Sequence, residues 1–61
     1  MTAKREIIFE FLQVGTALRI AAVDVATGIE AVIVGDPKAG EETLKRLARQ
    51  KLDYVMKKTG D

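Results

Sequence analysis

Glu6-Ile7-Ile8-Phe9-Glu10-Phe11-Leu12-Gln13-Val14 is the stretch on which the fold of this 61-residue chain turns, because it can be read two ways. Ile7, Ile8, Phe11 and Leu12 would suit one face of a helix. Composition favours a strand: β-branched and aromatic residues cluster here, and Gly15 closes the run as a turn residue. As extended chain over residues 6–14, the stretch sends Ile7, Phe9 and Phe11 to one side and Ile8, Glu10 and Leu12 to the other.

Residues 16–25 then read as a second strand. A reversal at Val14-Gly15 would set Phe11 against Leu18, Phe9 against Ile20 and Ile7 against Ala22, and on the other side Glu10 against Arg19 as a cross-strand charge pair. Val14 is poorly suited to the positive φ of such a turn, so a bulge or longer loop is expected near Gly15. The change of alternation at Ala21-Ala22, with Val23 and Val25 beyond it, hints at a second irregularity. Asp24-Val25-Ala26-Thr27-Gly28 is a turn in which the aspartate can accept from a backbone amide two residues on. Residues 29–34 return as a third strand whose register is open: either Ile29, Ala31 and Ile33, or Val32 and Val34, face the core.

Gly35 to Gly40 connects, with Asp36 before Pro37 able to cap a short helical turn. From Glu41 to Lys58, Leu44, Leu47, Ala48, Leu52 and Val55 recur at helical spacing on one stripe. Glu41 and Glu42 in the first turn and Lys57 and Lys58 in the last complement the helix dipole. Residues 1–4 and 59–61 are expected to fray. The fold expected is therefore α+β, a single domain over residues 1–61: a three-stranded antiparallel β-meander with one C-terminal helix on one face. Ile7, Phe9, Phe11, Leu18, Ile20, Ile33, Leu44, Leu47, Ala48, Leu52 and Val55 would form the core. A chain of this size buries only about 60% of the surface that its unfolded form exposes, so association is an expected reinforcement.

Cysteine, histidine, serine, asparagine and tryptophan are all absent. Disulfides, thiolate metal sites, serine triads and imidazole chemistry are excluded, and what remains for catalysis is Asp, Glu, Lys, Thr and Tyr54. Ten basic and nine acidic residues give a net charge of +1, too weak a field to argue for nucleic acid or anionic lipid. No run reaches the roughly 18 to 20 apolar residues of a membrane span, and with no small-residue cleavage site near its start the chain is not expected to carry a signal peptide. A cytoplasmic protein without membrane contact is the expectation.

The chain resembles a family of short, uncharacterised alphaproteobacterial proteins. Arg5-Glu6-Ile7 leading into Glu10 and Gly15, Val23-Asp24, Thr27-Gly28-Ile29-Glu30, Ile33-Val34-Gly35, Lys51-Leu52 and Tyr54-Val55 carry the likeness. It implies a small bacterial domain of unknown function and transfers no catalytic residue.

Each candidate chemistry meets a simpler alternative. Gly35 and Gly40 have the spacing of a phosphate-binding loop, but Glu41 and Glu42 stand where Lys and Ser/Thr belong, so a turn and a helix start explain them. Glu6, Glu10, Asp24 and Glu30 offer carboxylates, with Arg19 between Glu10 and Glu30 to neutralise them, and no metal, cofactor or catalytic residue is assigned. Tyr54 reads as packing at the core rim. Lys45, Arg46, Arg49 and Lys57 on the helix are an alternative nucleic-acid face, interrupted by Asp53 and without an exposed aromatic for stacking. The favoured surface is the uncovered side of the sheet: Ile8, Glu10, Leu12, Ala17, Arg19 and Ala21, with Glu30, Val32 and Val34 nearby, are more apolar than a wetted sheet face needs to be. A non-enzymatic module that forms a homodimer or docks an unidentified protein through that face is the reading that results.

Overall fold

The computed structural model describes residues 6–59. Strands β1 (Ile7–Val14), β2 (Ala17–Asp24) and β3 (Glu30–Gly35) form an antiparallel sheet in the order β1-β2-β3, and a 3-10 turn over Pro37–Ala39 leads into helix α1 (Glu41–Thr59). The expected βββα arrangement is present, and the deciding stretch is extended. Thr59 belongs to the helix, while the fraying expected of residues 1–4, 60 and 61 lies outside the described residues.

The β1–β2 register differs from expectation by two residues. Phe11 lies opposite Ile20, Phe9 opposite Ala22 and Ile7 opposite Asp24, so Glu10 faces Ala21 and not Arg19. The turn explains the shift. Gly15 takes the positive φ, at 61°, and no other residue type among those described does so. With Gly15-Thr16 as the two-residue loop, Gly15 fills the first central position of a II′-type turn, and Val14 is released to pair with Ala17. No bulge is needed at Gly15, and the ladder runs unbroken through Ala21 and Ala22. Because side chains alternate with a period of two, a two-residue shift leaves every residue on its expected face.

The β3 ambiguity resolves to the first alternative. Ala31 and Ile33 pair with Ala22 and Ile20 on the helix side, Ile29 packs beside them, and Val32 and Val34 lie on the far side. At the turn before β3, Asp24 accepts from Thr27 N at 3.1 Å, three residues on and not two, and its carbonyl takes Gly28 N at 2.7 Å. Asp24 is itself buried at the end of β2. The Asp36 cap is present, its carboxylate accepting from Lys38 N at 2.9 Å ahead of Pro37.

The core is narrow. Ile20, Ala22, Ala31, Leu44, Ala48 and Leu52 are buried together, with Ile7, Phe9, Phe11, Leu18, Ile29, Ile33, Val55 and Met56 packed around them. Leu47, expected inside, is 44% exposed, whereas Met56 takes an unforeseen place against the core. The buried stripe is Leu44, Ala48 and Leu52, with Val55 partly buried in line with it, and Leu47 lies to one side. Helix α1 rests mainly over β3 and β2, and less over β1. Its floor there is made of Ala22, Ala31 and Gly35, while β1 offers Phe9 and Phe11, so backbone can approach backbone closely only away from β1.

Gly35 marks that approach: a Cβ added to it would lie 2.6 Å from Leu44 Cδ2. Leu44 is buried and has little room to yield. Gly35→Ala is expected to cost about 1–2 kcal/mol through overpacking, measurable as a lowered urea midpoint with an unchanged slope.

Candidate functional site

Strand alternation collects Ile8, Glu10, Leu12 and Val14 of β1, Ala17, Arg19, Ala21 and Val23 of β2, and Glu30, Val32 and Val34 of β3 on the side away from the helix. All six residues expected to form a contact face, Ile8, Glu10, Leu12, Ala17, Arg19 and Ala21, therefore lie together. They stand in rows across the sheet: Ile8–Val23–Glu30, Glu10–Ala21–Val32 and Leu12–Arg19–Val34, followed by Val14–Ala17. Each of the three-residue rows carries one charge, and the rest of each row is aliphatic.

Exposure is concentrated in the large side chains. Ile8, Leu12, Val14 and Val34 are 52%, 57%, 55% and 66% exposed. Ala21 is buried although no element covers it, because Glu10 and Val32 stand taller on either side. Glu10 and Arg19 are diagonal neighbours with no ion pair between them, so the expected register-setting pair is not formed. Arg19 lies between Leu12 and Val34, not between Glu10 and Glu30. Val14 and Val23 belong to the surface and were read as turn and irregularity; counting by twos from Ile8 and from Ala17 reaches both.

The carboxylates do not converge. Asp24 points to the helix side while Glu10 and Glu30 occupy the opposite face. Among the described residues, no three acidic side chains are placed to hold a metal ion. A broad depression of about 640 Å³ at the end of the sheet is lined by Thr16, Ala17, Val34, Gly35, Asp36 and Lys38, and its one carboxylate, Asp36, caps the 3-10 turn.

The four cations of the alternative surface are divided. Lys45 is half-buried, with Nζ 5.5 Å from the Phe9 ring centroid and 3.9 Å from Glu42 Oε2. With Arg46, Arg49, Phe9 and Glu42 it lines a shallow cleft of about 290 Å³ that does not include Lys57. Arg46, Asp53 and Lys57 share the outermost side of the helix by their spacing. Tyr54, expected at the core rim, is 61% exposed, and Lys58 Nζ lies 5.5 Å from its ring centroid. An exposed aromatic is thus present on the helix after all.

Among the described residues no helix is long and apolar enough to cross a membrane. No curated protein and no solved structure matches the chain. The likeness to an uncharacterised family does hold across the strands, the turns and the helix alike: residues 4–59 match the family described as Domain of unknown function (DUF6898), and the chain belongs to that family.

Proposed function

We propose that this chain is a small non-enzymatic module that works through protein contacts, burying the open face of its sheet against a second copy or another protein. One observation supports this reading above the rest: four large aliphatic side chains on a single sheet face are each more than half exposed. A face of that kind gains by being covered, since burying the exposed half of each such side chain contributes about 1 kcal/mol or a little more. Arg19 and Glu10, standing among them unpaired with each other, would orient the contact more than strengthen it. The helix favours no second reading, because Lys45 is engaged with Glu42 and the Phe9 ring and Lys57 stands apart from the cleft.

Sedimentation equilibrium of the wild-type chain and of Val34→Lys tests the proposal. Val34 lies on the open face of the edge strand β3 and is the most exposed of the four. Association that rises with concentration and a dissociation constant weakened about ten-fold or more by Val34→Lys are expected, with Tyr54→Lys, on the helix, without effect. Equal behaviour of Val34→Lys and the wild-type chain would contradict the proposal.

A further inference from the structure

The two edges of the sheet are treated differently. On β3, the outward backbone groups belong to even-numbered residues, because Asp24 N donates to Ile29 O at 2.9 Å and so places the odd-numbered residues in the ladder with β2. Lys51 reaches down from α1 and donates Nζ to the outward carbonyl of Val32 at 2.9 Å. A lysine laid along an edge in this way blocks the addition of another strand.

On β1 the parity is reversed. Val25 N donates to Glu6 O at 3.1 Å, so even-numbered residues bond inward, and Ile7, Phe9, Phe11 and Gln13 turn their N–H and C=O groups to the outer edge. No side chain among the described residues bonds to these outward groups. The same residues carry their side chains on the helix side, where α1 sits over β2 and β3 and leaves Ile7, Phe9 and Phe11 only partly covered.

We infer that β1 pairs antiparallel with β1 of a second copy, about a two-fold axis through Phe9, joining the two sheets into one of six strands. The edge is self-complementary in that register. Phe9 meets its own copy, and Ile7 meets Phe11 in both directions, so the three central helix-side pairs are apolar, and the Phe9 pair is aromatic on both sides. Centring on Glu10 would set that carboxylate against itself, and centring on Phe11 would set Phe9 against Gln13. A foreign strand has no such match built in. About six backbone hydrogen bonds form in three narrow pairs, with neither helix in the way. This contact uses the backbone edge and goes beyond the open-face reading, on which it does not depend.

Amide hydrogen exchange on the wild-type chain is the test. In a lone molecule the amides of Ile7, Phe9 and Phe11 face water; concentrating the chain is expected to slow their exchange about ten-fold or more, and to do so equally in Val34→Lys. Cross-linking gives a second measurement, since the chain has no cysteine and a single introduced one can bond only to its own copy. Phe9→Cys places two Cα atoms about 5.5 Å apart across the axis, within disulfide range, so oxidation is expected to cross-link it ahead of Phe11→Cys and Leu12→Cys. Unprotected Phe9 and Phe11 amides at millimolar concentration, or cross-linking that peaks at Leu12→Cys, would overturn the inference.

Discussion

Leu52→Ala is expected to remove about half of the fold's stability at 25 °C. Leu52 is fully buried, in contact with the small cluster on which the whole fold depends. Removing three side-chain carbons from such a site typically costs 2–5 kcal/mol, about 2 where neighbours can collapse and more where a cavity stays. A domain of 61 residues has a total of about 3–9 kcal/mol to lose. Leu47→Ala removes the same atoms from a side chain 44% exposed and is expected to cost under about 1 kcal/mol. Urea denaturation of the pair separates the two sites. Equal losses would mean that the helix is rotated so that Leu47 is buried as deeply as Leu52.

Ala48→Leu is expected to be nearly as damaging for the opposite reason. Ala48 is fully buried on the helix face that meets β2 and β3, where Ala22, Ala31 and Gly35 form the floor. Small residues on both layers are what hold the helix close to those two strands. A leucine has no space there, so the helix must lift or slide toward β1, at a cost of about 1–3 kcal/mol or more. A combined loss of stability and displaced methyl resonances of Ile20 and Ile33 would show it. An unchanged denaturation midpoint would show instead that the layers are loosely packed at Ala48.

The faces of the sheet were legible in the sequence, and the pairing was not. Alternation at Ile7, Phe9 and Phe11 and at Ile8, Glu10 and Leu12 assigns sides regardless of register, which is why all six residues of the expected contact face fall together although the strands are offset by two. Register depended on one turn. Val14 was the warning: its unfitness for positive φ argued for an irregular loop, whereas moving the loop one residue on, so that Gly15 alone takes the left-handed position, removes the difficulty without any bulge. Leu47 was misplaced because a five-residue apolar stripe wider than the contact still satisfies helical spacing; only the tertiary contact tells which of Leu47 and Met56 goes inside. Gly35 read as punctuation, and its role beneath Leu44 is visible only once the helix is laid across β3. The contact of Lys51 with Val32 had no local signal, since it spans nineteen residues of sequence.

Helix α1 roofs one side of the sheet and the other side is bare; closure of that bare side by another molecule is the function proposed. Methyl relaxation by a soluble paramagnetic agent, measured on dilute and concentrated samples, addresses both sides at once. Methyls of Ile20, Leu44 and Leu52 are expected to be shielded throughout, and those of Ile8, Leu12, Val14 and Val34 to be strongly relaxed in the dilute monomer and to lose most of that relaxation on concentration. Shielded Leu12 and Val34 methyls in the dilute monomer, or relaxed Leu44 and Leu52 methyls, would contradict this arrangement.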